Sequence, residues 1–317
     1  MAVHKKTFRN FLEYIPVFLA ISLASLMSFR MRNKMFAALG GFLVCRIPMA
    51  RKRILKGLNL VFPDMPQIEK MRLCKKIGQQ VGRGWSEILF NARYKNHLDL
   101  LRPSGPGIEV LKKAKAQGKG AIMFSAHFGQ FDAARHYLKS QGMETGGVYR
   151  ESNNPWYDPY FLHGLEYAGH PIVGRDTAGR MKMIRHLRNG GFFAMLVDQK
   201  FQDGELVPFL GHEALTSIAP AQLALRYKLD LIPIFCVRDE NGFNIDILFE
   251  DPIEHTDALT MTRQMNDRLS AHILKHPDQW YWLHQRWDDT FLYEFIRTHK
   301  AKTMSKDTKT LPPDQKQ

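Results

Sequence analysis

The stretch AIMFSAHFGQFD, residues 121–132, decides the predicted fold because a strand pattern changes into a helix pattern within it. Residues 121–126 are apolar or small, form a run of strand length and follow Gly120. Residues 131–139 then carry helix-forming residues with apolar side chains at helical spacing. His127 is therefore predicted to lie at a strand-to-helix junction.

His127 and Asp132 are predicted to form a catalytic dyad across this junction. On one continuous helix, five residues correspond to about 500°, so the two side chains would point roughly 140° apart. They can meet only if His127 lies in the turn and Asp132 in the first helical turn, where the positive end of the helix favours an ionised carboxylate. A carboxylate on one ring nitrogen fixes the imidazole tautomer and leaves the other nitrogen as a general base. The local pattern alone favours a plainer alternative, a surface histidine and a helix-start aspartate that match by chance.

Strands and helices are predicted to alternate along residues 108–237, which indicates an α/β fold with a mixed, largely parallel central sheet flanked by helices. Functional groups gather at the carboxyl ends of the strands in such sheets. Residues 244–249 alternate like an edge strand. The polar residues that follow predicted strands, and are therefore site candidates, are His127, Arg150, Arg175 and Asp198.

The amino-terminal segment is predicted to be a membrane-anchor helix. Only Glu13 and Pro16 interrupt the apolar residues 11–29, and basic residues flank this segment on both sides. The uncharged run is shorter than the ~20 residues that a spanning helix usually needs, and the positive-inside rule would place both flanks in the cytoplasm. We therefore expect an anchor that dips into the inner leaflet, where anionic lipid attracts its cations. A cleaved signal peptide and a buried core helix are the alternatives.

The predicted organisation has three parts. The anchor helix occupies residues 1–34, the α/β domain residues 35–300, and a disordered tail residues 301–317, which lack an apolar face.

The composition limits the classes of partner. The net charge of +14 predicts a polyanionic partner, either a nucleic acid, an anionic membrane surface or an acidic protein. The sequence has no basic-aromatic nucleic-acid module, so nucleic acid is not expected. The three cysteines lie far apart without metal-type spacing, which indicates neither a disulfide framework nor a zinc site and fits a reducing compartment.

Other patterns are weaker candidates for sites. His272 and His276 have the spacing of a zinc pair on one helix face, yet no third ligand is obvious, so surface histidines explain them better. The glycine pairs at residues 146–147 and 190–191 lack the pattern of a phosphate-binding loop, so no nucleotide site is expected. A basic helical stretch, interpreted as a solvated face or as a docking patch for an acidic partner, comprises Arg180, Lys182, Arg185 and Arg188.

With these residues identified, the chain resembles the late acyltransferases of lipid A biosynthesis, the lauroyl and myristoyl transferases of Gram-negative bacteria. The resemblance runs from about residue 11 to residue 288. It is carried by the apolar amino-terminal segment, the segment 53–63, the His127 and Asp132 spacing, Tyr149-Arg150 with Asn154-Pro155, Arg175, Asp198-Gln199, residues 207–211 with Thr216, Pro233 within residues 231–235, and the closing block at residues 279–287. Two departures are Asp132, where glutamate is common in the family, and Gln285, where another basic residue is common.

The resemblance implies a glycerolphosphate-acyltransferase-like fold, an acyltransferase domain at residues 35–300 and a reaction that needs no cofactor or metal. His127, oriented by Asp132, would take the proton from a hydroxyl of a (Kdo)2-lipid A precursor, and the alkoxide would attack an acyl thioester on acyl carrier protein. Backbone amides after His127 are the expected oxyanion donors. The substrate-binding residues that the resemblance implies are Arg150, Arg175, Asp198 and Gln199.

The implied partners are acyl carrier protein, the lipid A precursor and the anionic inner membrane, at its cytoplasmic face. All three are anionic, which agrees with the basic charge of the chain. A glycerolphosphate or lysophospholipid acyltransferase is the alternative within enzymes. A non-catalytic membrane protein that binds polyanions is the alternative from another class.

Overall fold

The structure, a computed structural model, describes residues 7–287. The tail predicted at residues 301–317 lies outside the described residues. The helices are α1 (Phe8–Ser25), α2 (Phe29–Arg46), α3 (Pro48–Val61), α4 (Gln67–Leu89), α5 (Gly107–Ala116), α6 (Ala133–Ser140), α7 (Asp158–Ala168), α8 (Thr177–Arg188), α9 (Ala219–Tyr227) and α10 (Ala258–Lys275), with short 3-10 helices at Asn91–Leu100 and Pro277–Gln279. The strands are β1 (Leu101–Ser104), β2 (Ala121–Ser125), β3 (Thr145–Val148), β4 (Ile172–Val173), β5 (Phe192–Leu196), β6 (Glu205–Phe209), β7 (His212–Thr216), β8 (Asp230–Arg238) and β9 (Ile245–Phe249).

Within the described residues, seven strands form one sheet in the order β1-β9-β8-β2-β5-β3-β4, and β6 pairs with β7 in a separate antiparallel hairpin. Neighbouring strands of the large sheet run parallel except β8 and β9, which are antiparallel. Strands β1 and β9 therefore run opposite to the other five. The predicted α/β fold with a mostly parallel central sheet is confirmed.

Strand β2 is buried at all five positions because it lies in the middle of the sheet, between β8 and β5. Ile122 and Phe124 pack in a cluster with residues of α8, α9 and α10. Ala121 and Met123 pack in a second cluster with residues of α5 and α6. A strand covered by helices on both faces has no polar face, which explains its continuous apolar sequence.

The predicted position of residues 244–249 at the sheet edge is wrong. Strand β9 is flanked by β8 on one side and by β1 on the other, where Ile247 lies opposite Pro103. Pro103 has no N–H group to offer a further strand, so β1 is suited to the edge. Four residues with a central proline do not form a recognisable strand pattern, and β1 was therefore not predicted.

Helices α2 and α4 cross with their backbones in contact because glycines face each other. A Cβ atom placed on Gly40 would lie 2.2 Å from the carbonyl oxygen of Gly78. A Cβ atom on Gly82 would lie 2.0 Å from the carbonyl oxygen of Phe36. Because no side chain fits at these positions, we refer to this crossing as the glycine contact. It holds α2 directly against α4.

A buried ion pair joins these helices to the end of β8. Arg238 donates to both carboxylate oxygens of Glu87, at 2.5 and 2.8 Å, and both side chains are buried. The Asn33 amide of α2 donates to the same carboxylate at 3.2 Å. Helix α2 therefore continues as part of the packed structure across the domain boundary predicted after residue 34, and that division stays a prediction.

Helix α1 places apolar side chains at the surface. Phe8, Leu19 and Leu23 are 76%, 60% and 61% exposed. Within residues 7–287, no helix combines the length and the apolar character that a bilayer crossing requires. The shallow anchor predicted for this segment stays a prediction.

Candidate active site

The four strand-end residues named from the sequence meet at one edge of the sheet. Strands β2, β5, β3 and β4 are parallel neighbours, so their carboxyl ends lie side by side. A cavity of about 540 Å³ opens there, and His127, Arg150, Arg175 and Gln199 line it. The sequence pattern thus located the edge of the sheet at which a site would form.

Apolar side chains make up most of the cavity lining, and polar side chains make up the rest. Helices α4 and α7 and the ends of the central strands supply most of the apolar lining. These apolar and aromatic residues include Val81, Trp85, Ile88, Leu138, Phe161, Leu165, Ile172 and Met195. A cavity that is lined mainly by apolar side chains, with a few polar groups, suits an amphipathic ligand.

Asp198 is the carboxylate that orients His127. The Nδ1 atom of His127 lies 2.8 Å from Oδ1 of Asp198, and the backbone N–H of His127 donates to Oδ2 at 3.0 Å. The indole Nε1 of Trp280 donates to Oδ2 at 2.8 Å. Asp198 is fully buried, whereas the His127 side chain is 25% exposed. The imidazole therefore has one nitrogen fixed inside the protein, and the other, Nε2, lies near the Gln199 amide at the cavity.

The electrostatics of the pair favour an ionised aspartate. Burial alone would raise the pKa of Asp198, but the charge and hydrogen bond of His127, with His284 and Trp280, hold that pKa well below its usual range. An ionised carboxylate requires a proton on Nδ1, so Nε2 of the neutral imidazole carries the lone pair. His127 is thereby arranged as a general base.

The structure corrects the predicted partner of His127 and the predicted role of Asp198. Asp132 is 2% exposed; it accepts from Nη1 of Arg135 at 2.9 Å and from Nδ2 of Asn91 at 3.3 Å. In the described part of the chain no hydrogen bond joins Asp132 to His127. Asp198 was expected to contact substrate, but its burial directs it to the imidazole instead. The predicted strand-to-helix junction is confirmed, because His127 lies in the turn after β2 and Asp132 directly precedes α6.

Sheet register explains why Asp198 and not Asp132 reaches the imidazole. Ser125 lies opposite Leu196 in the parallel β2–β5 pair. His127 and Asp198 each follow two residues later, and so they leave the sheet side by side. The sequence spacing predicted Asp132 as the partner of His127 because Asp132 is close in the chain. The carboxylate that contacts His127, that of Asp198, is 71 residues away in sequence.

The closing block at residues 279–287 completes the site, a role that the sequence did not reveal. The N–H of Tyr281 donates to the carbonyl oxygen of His127 at 2.9 Å. His284 lies with its ring 4.8 Å from that of His127. Burial, with a smaller contribution from the positive charge of Arg175, lowers the pKa of His284 to about 4. His284 was missed as a site residue because its aromatic surroundings were read only as a motif.

Gln199 lies between the two imidazoles and an arginine. Its Oε1 accepts from Nη2 of Arg175 at 3.1 Å. Its Nε2 lies 3.0 Å from Nε2 of His284 and 3.4 Å from Nε2 of His127. Gln199 therefore lies directly beside the candidate base.

The backbone amides expected to hold an oxyanion are already engaged. The N–H groups of Phe128 and Gly129 donate to the carbonyl oxygens of Ala126 at 2.8 Å and Gln279 at 2.9 Å. The N–H of Gln130 donates to the Cys236 carbonyl at 3.2 Å. An amide that already donates to a carbonyl is not free to stabilise a developing charge. The expectation for these amides was wrong.

Two arginines line the cavity. Arg150 and Arg175 are exposed, and Nη2 of Arg150 donates to Asn153 at 3.4 Å. Desolvation and the like charge of Arg150 lower the pKa of Arg175. Two guanidinium groups that repel each other are relieved by an anion between them, and their planar forks suit phosphate or carboxylate.

The fold and the site together define a class of protein. A base oriented by a buried carboxylate lies in a cavity that is lined by apolar side chains and two arginines, an arrangement suited to base-assisted chemistry on an amphipathic anion. Residues 2–289 match the family described as "Bacterial lipid A biosynthesis acyltransferase". The chain belongs to this family of acyltransferases.

Curated relatives agree with this assignment. The chain is 27% identical over 284 residues to a "Lipid A biosynthesis acyltransferase" of Haemophilus influenzae, with 86% of each chain covered. It is 26% identical to the "Lipid A biosynthesis lauroyltransferase" of Escherichia coli, over 78% of this chain and 82% of the relative. It is also 24% identical to a "Phosphatidylinositol mannoside acyltransferase" of Mycobacterium tuberculosis, over 66% and 68% of the two chains. Acyl transfer is common to the three names, while the acceptor differs.

Proposed function

We propose that this protein transfers a fatty acyl chain from acyl carrier protein to a hydroxyl of a (Kdo)2-lipid A precursor, with His127 as general base and Asp198 as the residue that orients it. The observation that carries the proposal is the geometry of this pair. Nδ1 of His127 lies 2.8 Å from a fully buried carboxylate, and His127 lines a cavity whose lining is mostly apolar.

The proposed reaction needs only one base. His127 Nε2 takes the hydroxyl proton as the oxygen attacks the thioester carbonyl carbon. The carbon–sulfur bond then breaks, and the imidazolium returns the proton to the leaving thiolate. A positioned base typically contributes about 10² to 10⁴-fold in rate.

The charges at the cavity support an anionic acceptor. Arg150 and Arg175 would hold the phosphate or sugar-acid groups of the lipid, while the apolar wall takes an acyl chain. The net charge of +14 would favour both an acidic carrier protein and an anionic lipid surface.

The amino-terminal helices support a location at the cytoplasmic face of the inner membrane. Exposed apolar side chains on α1 would form the anchor, with the basic flanks on anionic lipid. In α1, Phe11 makes an edge-to-face contact with Trp156, with ring centroids 5.1 Å apart, and Tyr14 stacks on Trp156 at 6.4 Å. The adjoining residues Tyr157 and Phe161 line the cavity, so the proposed anchor lies beside the acceptor site.

A transfer assay tests the proposal. Purified protein, lauroyl or myristoyl carrier protein and a Kdo-bearing lipid A precursor should yield a lipid heavier by one acyl group in mass spectrometry. His127→Ala should lower the rate by about 10² to 10⁴-fold. The control His163→Ala changes an exposed histidine outside the cavity lining and should transfer normally. Full activity of His127→Ala would refute the mechanism.

Parallel acceptors separate the alternatives. A phosphatidylinositol mannoside is included because relatives with that name match the chain, and glycerol 3-phosphate and a lysophospholipid represent the other enzyme class. Acylation of one of these, and not of the lipid A precursor, would replace the proposed acceptor. Salt-sensitive lipid binding without transfer would instead indicate the non-catalytic alternative.

A further inference from the structure

We infer that the side-chain amide of Gln199 donates the hydrogen bond that stabilises the oxyanion during acyl transfer, and that Arg175 holds the amide in the orientation required. This inference rests on the proposed thioester chemistry. It assigns a catalytic role to Gln199 and a positioning role, through the amide, to Arg175.

The need for such a donor follows from the hydrogen bonds around His127. A tetrahedral intermediate places negative charge on the former carbonyl oxygen, and donors aimed at that oxygen are usually a large part of catalysis. The backbone N–H groups of residues 128, 129 and 130 all donate to carbonyl oxygens. The N–H of His127 donates to Asp198. Because these four amides are engaged, a side-chain donor near Nε2 of His127 is better placed than the backbone after His127.

Chemistry fixes which end of the Gln199 amide faces the reaction. A guanidinium group has only donors, so the atom 3.1 Å from Nη2 of Arg175 must be the amide oxygen. The NH2 group consequently points toward the imidazoles of His127 and His284. The opposite orientation would set an NH2 group against a guanidinium, with no acceptor between them.

One of the two amide hydrogens is held and the other is available. His284 is neutral near pH 7 because burial, with the charge of Arg175, lowers its pKa to about 4, so its Nε2 accepts one hydrogen over 3.0 Å. The second hydrogen faces Nε2 of His127 over 3.4 Å, a long and weak contact. A thioester carbonyl that enters the site offers this hydrogen a better acceptor.

The position of this hydrogen suits the reaction. The attacking hydroxyl oxygen would lie about 2.8 Å from Nε2 of His127, and the carbonyl oxygen lies next to the carbon that it attacks. A donor 3.4 Å from the same Nε2 atom is therefore within reach of the developing charge. The Gln199 backbone is also held, because Nη1 of the buried Arg286 donates to its carbonyl oxygen at 3.4 Å.

The matched variants are Gln199→Glu and Gln199→Ala, with Gln117→Glu as control. Gln199→Glu keeps the size and the oxygen that faces Arg175, but it replaces the donor NH2 with an acceptor. Both Gln199 variants should lower kcat by about 10² to 10³-fold, the usual effect of losing one oxyanion donor. The KM for the acceptor should change by only a few fold. Gln117 is exposed at the end of α5, so its variant should match wild type.

Infrared spectroscopy distinguishes a donor from a merely structural residue. His127→Ala would bind an acyl pantetheine thioester, labelled at the carbonyl carbon, without turning it over. In the His127→Ala variant, the carbonyl stretching frequency of the thioester should fall on binding. In the double variant that combines His127→Ala with Gln199→Glu, this shift should be absent. Arg175→Ala in the same background should reduce the shift, because the amide then loses its fixed orientation.

The outcomes separate this inference from the proposed function. Absence of transfer by the wild-type protein would overturn the proposed function. A wild-type protein that transfers normally, together with a Gln199→Glu variant within threefold of its kcat, would overturn the role of Gln199 alone. An unchanged carbonyl shift in the double variant would do the same.

Discussion

Exchanging the two aspartates for asparagine in separate variants tests the assignment of Asp198 as the partner of His127. Asp198→Asn retains the side-chain volume but removes the charge that fixes a proton on Nδ1. An asparagine NH2 that donates to Nδ1 would force the proton onto Nε2, where it prevents base catalysis. In the Ser-His-Asp triad the equivalent change lowers kcat about 10⁴-fold. We expect a fall of about 10³ to 10⁴-fold, or about 4 to 5.5 kcal/mol in activation free energy.

Asp132→Asn should act on stability instead. Asp132 is the charged partner of Arg135, whose side chain is 7% exposed. Arg135 also donates to the carbonyl oxygens of Thr145 and Gly169 at 3.1 and 2.7 Å, so the pair fixes the start of β3. Breaking a buried ion pair costs about 3 to 5 kcal/mol. Because the amide oxygen can still accept from Arg135, the lower end is expected, which would lower Tm by about 6 to 12 °C.

Transfer rates and thermal unfolding of both variants decide between the two aspartates. The control Asp64→Asn, at an exposed position, should change neither quantity. The assignment of Asp198 would be refuted if Asp132→Asn lost turnover at an unchanged Tm while Asp198→Asn remained active. That result would restore the dyad predicted from sequence spacing.

Three further outcomes are expected from the structure. Gly82→Ala should destabilise the protein by about 2 kcal/mol or more, because the new Cβ meets the Phe36 carbonyl oxygen. The control Gly84→Ala lies in the same helix with open space around its Cβ, and it should stabilise the protein by about 0.5 to 1 kcal/mol. Urea denaturation measures the free energy of unfolding of both variants. Burial lowers the pKa of His136 to about 4, whereas in the unfolded chain it is near 6.5. Its contribution to stability is therefore complete above pH ~6.5 and falls by about 3 kcal/mol as the pH drops toward 4, a loss that His136→Gln should reduce in denaturation at pH 7 and 4.5. Leu19→Asp, on the exposed face of α1, should lower co-flotation with anionic vesicles, and unchanged flotation would count against the anchor.

The fold was predictable where one strand carried enough local information. The run of residues 121–125 is apolar because helices cover both faces of β2, so its sequence alone indicated a strand and placed His127 at its end. Strand β1 was missed because its conformation depends on pairing with β9 and not on its own four residues.

The sequence predicted where the site lies in the fold, but not which side chains contact each other within it. The carboxyl ends of parallel strands converge, which located His127, Arg150 and Arg175 at one cavity. The choice between Asp132 and Asp198 depends on the register of β2 and β5, and a single sequence does not encode register in any short pattern. Likewise, His284 reaches the cavity only because the closing block folds over the end of β2.

The glycine contact between α2 and α4 has a consequence for encounters with lipid. Helix α4 supplies Val81, Trp85 and Ile88 to the cavity wall, and the α2 backbone lies directly against this helix, with no layer of side chains that could slide. Helix α2 and the α4 side of the cavity wall are therefore expected to move together. If α1 anchors the protein at a bilayer as proposed, its contacts with Asn154 and Trp156 would keep the cavity close to the lipid headgroups. The encounter rate would then depend on lateral diffusion and on the surface density of the acceptor, and not on its bulk concentration.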